Sequence, residues 1–250
     1  MKIFLSGITG SMGHVIMDTV KENTLSEDKV VAGFAGRNTE IDGIKVYGYL
    51  DDVAEDFDVI IDFSNKFCTS DVVSFALKKK KPLVIATTGM DDEVVDFIKE
   101  ASDKIPIVFS QNMSMGVNAL DIILDKLSKM LDDFDIEIIE KHHNQKVDSP
   151  SGTAKMLFNT ISKNREVYPV YDRTPFHEKR KKEEVGISVI RGGTITGEHS
   201  VIFAGEDEVL EIKHSAGSKK IFAKGAIKAA HFLKDKEKGL YNMQDVLGVK

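Results

Sequence analysis

Between Glu140 and Ala154 the chain reads EKHHNQKVDSPSGTA, so two histidines and a lysine are followed at once by a turn that opens a helix. An imidazole exchanges protons near neutral pH, and a lysine ammonium both steadies an anion and donates a proton. His142, His143 and Lys146 therefore form a cationic or proton-donating trio. Ser151 suits the N-cap of the following helix, leaving the backbone N–H groups of Gly152, Thr153 and Ala154 turned outward. A helix start of that kind is a ready anion site. Together the two halves suit a small, negatively charged substrate that must be protonated. The plainer alternative is a solvated His-His pair beside an ordinary helix cap. No metal is expected: His142 and His143 are adjacent and cannot comfortably share one ion, and no cysteine or third nearby histidine completes a set.

Something must hold that loop, and the β-branched run Ile136–Ile139 reads as a strand ending just before it. The N-terminus supplies a second chemical element. A strand at Lys2–Ser6 runs into Gly7-Ile8-Thr9-Gly10-Ser11-Met12-Gly13 and then into an amphipathic helix. Strand, glycine-rich turn and helix are the setting a dinucleotide fingerprint requires, here spaced G-x-x-G-x-x-G. Gly7 makes the tight turn, Gly10 lets backbone approach a pyrophosphate, and Gly13 lets helix and strand pack closely. After a second strand at Val30–Phe34, an NAD-preferring site carries an acidic residue, but this chain has Arg37, which suits a ribose 2′-phosphate. That leans toward NADPH with NADH still open, and a solvent-facing Arg37 is the simpler alternative.

Further strands at Asp58–Phe63, Pro82–Ala86 and Ile105–Phe109 alternate with helices near Thr69–Lys80 and Asp91–Ala101, which indicates a Rossmann-like, doubly wound parallel sheet. Ligands on such sheets lie at the carboxyl ends of the strands, so Ala86-Thr87-Thr88 and Ser110-Gln111-Asn112-Met113 are expected beside a nicotinamide. The pattern then changes. A helix at Ala119–Leu131 leads to the mid-chain strand, and another helix begins near Thr153. Arg165–Glu184 reads as an exposed polar loop. Gly186–Arg191, Glu198–Ala204 and Glu208–His214 read as an antiparallel meander with one face left for a partner chain. The expected class is α/β, with a second α+β domain built on an open mixed or antiparallel sheet. The tail, Phe222–Ala230, is an amphipathic helix.

Composition narrows the functional classes. A net charge of −6 over 250 residues argues against nucleic acid as a partner, so anions must be held by local positive groups. Cys68 is the single cysteine, which precludes an internal disulfide and points to a reducing, cytoplasmic setting. No apolar run is long enough to span a bilayer, so neither membrane nor signal segment is expected.

The Gly7–Gly13 turn, Ala86-Thr87-Thr88-Gly89, Asn112-Met113-Ser114-Met115-Gly116-Val117-Asn118 and the E-x-H-H-x-x-K-x-D-x-P-S-G-T-A string, in this order, closely resemble the dihydrodipicolinate reductases of lysine and diaminopimelate biosynthesis. The resemblance spans nearly the whole chain, and the His-His string is its most specific part. It implies NAD(P)H-dependent reduction of a cyclic dicarboxylate, 4-hydroxy-tetrahydrodipicolinate. It also implies a cofactor domain of residues 1–113 with 216–250, a substrate domain of residues 114–215, and a homotetramer assembled through the open sheets. By that resemblance His142 and Lys146 exchange protons, His143 contacts substrate, and Ser151, Gly152 and Thr153 cradle a carboxylate. The cofactor positions are Gly7, Ile8, Thr9, Gly10, Ser11, Met12, Ala86, Thr87, Thr88, Ser110, Gln111, Asn112 and Met113, joined by Arg37. The chain departs from the family pattern at His14 and Lys219, where many members carry arginine, and in lacking the acidic residue after the second strand. Two rival readings are a different two-domain dehydrogenase of a small acid or sugar and a non-catalytic NADPH-sensing module. Neither accounts for an intact His142, His143, Lys146 and Ser151–Thr153 set.

Overall fold

The computed structural model describes residues 1–249. In chain order it contains β1 (Lys2–Ser6), α1 (Ser11–Glu22), β2 (Lys29–Phe34), β3 (Thr39–Ile41), β4 (Ile44–Tyr47), β5 (Val59–Asp62), α2 (Thr69–Lys79), β6 (Leu83–Ile85), α3 (Asp92–Ser102) and β7 (Pro106–Phe109). There follow α4 (Met115–Met130), β8 (Asp135–His142), α5 (Gly152–Ser162), β9 (Tyr168–Val170), β10 (Glu184–Arg191), β11 (Glu198–Ala204) and β12 (Val209–Ser215). The chain closes with α6 (Lys220–Leu233), β13 (Gly239–Tyr241) and α7 (Met243–Val246). Two compact units result, one of Met1–Met115 with the chain from Lys219 onward, the other of Gly116–Ser218. No helix among the described residues is long and apolar enough to cross a membrane.

The first unit is built on a sheet ordered β13-β7-β6-β5-β1-β2-β4-β3, parallel throughout except for the β3–β4 pair. Successive residues of a strand face opposite sides, and here both sides are buried. Ile3 and Leu5 join one core with α1 and α6, whereas Phe4 joins the other with α2 and α3. Phe4, Phe57 and Phe75 form an aromatic cluster in the second core, with centroids 5.2 to 5.7 Å apart.

The second unit carries a mixed sheet ordered β12-β11-β8-β10-β9. Helices α4 and α5 pack Leu120, Leu124, Leu157 and Ile161 on one face, against Ile136, Ile138, Val185, Ile187, Val201 and Phe203. The opposite face presents Ile139, Ile190, Ile202 and Val209, of which Ile190 and Val209 are exposed.

Two expectations are corrected here. The last three strands are not a meander, because β8 lies between β10 and β11, parallel to the first and antiparallel to the second. Of these three strands, β10, β11 and β12, only β11 and β12 form a hairpin. The short Gly192–Gly197 link looks like a hairpin turn but arches over the end of β8, held by Gly192 N–H to His142 O and Asn144 N–H to Gly193 O. Residues 165–184 are likewise more than a polar loop. They contain β9, which pairs with the start of β10, and arginines that bond inward: Arg165 to Ser128 O and Phe134 O, Arg180 to Asp135 and Ile136 O. Tyr168–Val170 is too short for its periodicity to mark a strand.

Candidate active site

Strand β8 alternates buried and half-buried residues along its length, and the buried series Ile136, Ile138, Glu140, His142 turns from apolar to ionisable at its carboxyl end. Sheet register brings distant residues to that end. Arg191 of β10 lies opposite His142, and His199 of β11 lies opposite Glu140. Glu140 is fully buried. Its Oε1 accepts the Ser151 N–H at 2.9 Å and Arg191 Nη2 at 3.1 Å. Its Oε2 lies 2.5 Å from His142 Nδ1, a charge contact off the line of a hydrogen bond. The His142 and His199 rings meet edge to face with centroids 5.1 Å apart.

The loop after β8 carries the other charged groups. Lys146 Nζ pairs with Asp148 Oδ1 at 2.8 Å, and Arg191 Nη2 donates to Asp148 O at 2.7 Å. Ser151 caps α5: its Oγ accepts the Ala154 N–H at 3.2 Å and lies 3.0 Å from His199 Nε2. The Ser151 side chain is thus buried and committed within the protein, and Ala154 N–H is already satisfied. Gly152 at the first helical position is exposed, and a Cβ there would meet nothing within 4 Å. Packing gives no reason for a glycine at this helix start, whereas open access to backbone N–H groups does. Thr153, the next residue of α5, and His143, in the loop after β8, are half-buried.

Burial alone would raise the Glu140 carboxyl, but Arg191, the Ser151 N–H and His142 outweigh it and hold the group below the usual carboxylate range. Burial pushes His142 down, Glu140 pulls it up, and Lys146 and Arg191 push it down again, so the imidazole ends below its ordinary value. Desolvation, with the nearby His142 charge second, drops His199 to about 4. Lys146 holds Asp148 low. The result is an anionic Glu140 and a neutral His199 flanking a His142 held below its ordinary value.

His199 also completes a third ligand position that the sequence did not reveal: ligand atoms of Glu140, His142 and His199 lie within 4.8 Å of one another. The expectation that no third histidine stands close is therefore corrected. Even so, the donor set fits a dication poorly. Glu140 Oε1 is taken by Arg191 and Ser151, and Lys146 adds a further positive charge on the cluster. Arg191, His199, Glu140 and Gly197 were all missed as site residues. The E-x-H alternation at Glu140 and His142 was a usable signal for one of them, since it places both side chains on one strand face.

In the first unit, Gly7 takes φ +81, and a Cβ on it would lie 2.4 Å from Phe63 O. A Cβ on Gly13 would lie 2.3 Å from Ile8 O, whereas Gly10 is exposed and meets only Gly7 O at 3.1 Å. Gly10 also N-caps α1 with no side-chain cap hydrogen bond. Ile8 is buried, Thr9 and Met12 are half-buried and Ser11 is exposed, with Lys219 Nζ 3.2 Å from Ser11 Oγ. Arg37 is exposed at the end of β2; its backbone packs against Gly48, whose N–H bonds Asn38 Oδ1 at 2.7 Å.

At the ends of β5 and β6, buried Asp62 accepts Thr87 Oγ1 at 2.9 Å and Thr69 Oγ1 at 3.2 Å, fixing the Ala86-Thr87-Thr88 loop. The sequence reading did not single out Asp62. Ser110 Oγ donates to Asn112 O at 2.9 Å, Gln111 is exposed, and Met113 is buried with its carbonyl against Gly225 of α6. These loops all lie at the carboxyl ends of parallel strands, the position that fits a nicotinamide dinucleotide.

Residues 1–113 match the family described as dihydrodipicolinate reductase, N-terminus, and residues 116–247 match its C-terminus counterpart. A 4-hydroxy-tetrahydrodipicolinate reductase from Caldanaerobacter subterraneus subsp. tengcongensis is 46% identical over 99% of this chain and 98% of its own length. One from Exiguobacterium sibiricum is 46% identical over 98% of this chain and 95% of its own. Among solved structures, a dipicolinate-bound dihydrodipicolinate reductase from Paenisporosarcina sp. TG-14 has the same fold, with TM-score 0.79, 21% identity and 98% of each chain covered.

Proposed function

The chain belongs to the dihydrodipicolinate reductase family, and from that membership we propose how its own residues carry out the reduction of 4-hydroxy-tetrahydrodipicolinate. The observation that carries the reading is the junction at the end of β8, where His142, Lys146 and the bare α5 start at Gly152 belong to one loop. The substrate is a cyclic dicarboxylate. One carboxylate takes the backbone N–H groups of Gly152 and Thr153, in a helix start that Ser151 holds in shape. His143 and Lys146 meet the remaining negative charge. Loss of the substrate's 4-hydroxyl as water gives an imine conjugated with a ring C=C, and a nicotinamide held there would supply hydride to the far carbon of that conjugated system, leaving an enamine. His142 or Lys146 then breaks an N–H bond as the new C–H bond forms at the enamine carbon, and solvent restores the proton.

The residues that would hold the dinucleotide are Gly7 to Met12, Ala86 to Thr88, Ser110 to Met113 and Arg37. Arg37 is exposed and has no acidic residue in the adjacent chain positions 35–38, which favours NADPH while allowing NADH. We place the enzyme in the cytoplasm as a homotetramer, joined through the open sheet face that carries Ile139, Ile190, Ile202 and Val209.

Absorbance at the nicotinamide band tests the reading. Consumption of NADPH or NADH should require the cyclic condensation product of pyruvate and aspartate semialdehyde. Consumption with simple hydroxy or keto acids instead would favour a different dehydrogenase, and no consumption at all would favour a sensor.

A further inference from the structure

We propose that Glu140 is a positioning residue, a buried carboxylate that fixes which nitrogen of His142 carries the proton and leaves Nε2 as the atom that exchanges it. This rests on the role proposed above for His142. Burying a carboxylate is costly, and an Arg191 pair alone would not require the imidazole to share it. Yet Glu140 and His142 are alternate residues on one strand face, and Nδ1 lies 2.5 Å from Oε2. A bare nitrogen lone pair at that distance from a carboxylate oxygen would be repelled, so Nδ1 bears the proton in the neutral ring. The other nitrogen, Nε2, faces Gly197, where a Cβ would stand at 3.1 Å. A side chain at Gly197 would crowd that atom.

The carboxylate is itself pinned. Arg191 Nη2 and the Ser151 N–H fill Oε1, so Oε2 cannot rotate away from His142 without losing both. Ser151 ties the same network to the α5 start and to His199. The charged and titratable groups that bear on His142 are Glu140 on its own strand, Arg191 from β10, Lys146 from the following loop and His199 from β11. Of these only Glu140 favours the protonated imidazole. The sequence places a carboxylate two residues before the histidine, and the fold turns that spacing into a close carboxylate–imidazole contact, off the line of a hydrogen bond.

The test compares wild type, Glu140→Gln, Glu140→Asp and His142→Ala by kcat and KM across pH, with long-range 1H–15N spectra of His142. Wild type should show a protonated Nδ1. Glu140→Gln should lower kcat about 10²-fold, within the range a positioned acid–base group contributes. It should leave KM and cofactor binding nearly unchanged and move the His142-dependent limb to lower pH. Glu140→Asp should recover part of the loss. A wild-type His142 protonated at Nε2 overturns the proposal even where the variants do not fold, as does full turnover in Glu140→Gln while His142→Ala is slow. Full turnover in His142→Ala instead removes the role of His142 itself, and that of Glu140 with it.

Discussion

Gly197 stands directly against His142: a Cβ at Gly197 would come within 3.1 Å of the imidazole Nε2 and 3.3 Å of its Cδ2. An alanine there has no strained backbone to adopt, so the ring must give by a few tenths of an ångström. Misplacing a reacting group by about 1 Å costs on the order of 10²-fold, so Gly197→Ala should lower kcat about tenfold with little change in melting temperature. Unchanged turnover would place the proton-exchanging atom elsewhere.

Ser151 bonds Glu140 through its backbone N–H, and its Oγ meets Ala154 N–H and His199 Nε2. Ser151→Ala keeps the backbone bond to Glu140 but removes the cap and the partner of His199 Nε2. Losing a cap costs about 1 kcal/mol, and an unsatisfied buried nitrogen about 1–3 more. A lowered melting temperature with a raised KM for the dicarboxylate is expected, and a change in neither would detach Ser151 from the cradle.

Acid should destabilise the protein in a window set by its buried histidines. The folded-state value of His199 is about 4 against an ordinary 6.5, so the unfolded chain binds the extra proton first as pH falls. The stability contributed by the neutral ring is complete above about 6.5 and is lost between there and about 4, on the order of 3 kcal/mol. His142 and His214 are lowered too and act in the same direction. Glu140 and Asp148 are lowered carboxylates, whose contribution is present above their ordinary values of 4.5 and 3.8 and is lost as pH falls below them, so Glu140 begins to add to the fall at the acid end of this window. Denaturant midpoints at pH 7, 5.5 and 4.5 should fall steadily, and His199→Gln should flatten that fall.

Gly225 lets α6 approach the Met113 carbonyl; a Cβ there would sit 1.7 Å from that oxygen. Gly225→Ala must push apart α6 and the loop carrying Ser110 to Met113, at a cost on the order of 3 kcal/mol. A lower melting temperature together with a weaker cofactor Kd is expected. Undiminished cofactor affinity would separate that loop from the nicotinamide site.

Arg37 should discriminate between the two nicotinamide cofactors. Removing a charge-assisted bond to a ribose 2′-phosphate costs about 1.5–3 kcal/mol, so Arg37→Ala should raise KM for NADPH roughly ten- to hundredfold while leaving NADH little changed. Equal effects on both would make Arg37 a solvent-facing residue of the β2–β3 turn.

What was legible in the chain is what is local in it. The Glu140–Ala154 string contains its strand end, its loop and its cap in sequence, and Ser151 caps α5 as its residue type suggests. The glycine turn is equally local, since Gly7 and Gly13 are required by backbone atoms a few residues away or in the adjoining β5 end. Arg191, Gly197 and His199 were not legible because strand order brings them to His142, and short connections do not reveal strand order. The Gly192–Gly197 link has the length of a hairpin turn but crosses the end of β8. Asp62 was hidden for a related reason: it reads as the polar end of an apolar strand until Thr69 and Thr87 are seen to converge on it.

The most direct test is turnover in His142→Ala and Lys146→Ala, measured with substrate saturating and with cofactor affinity determined separately. If the loop after β8 delivers the proton, each variant should lose about 10²–10⁴-fold in kcat while binding NADPH as wild type does. Wild-type kcat in both variants would contradict the account.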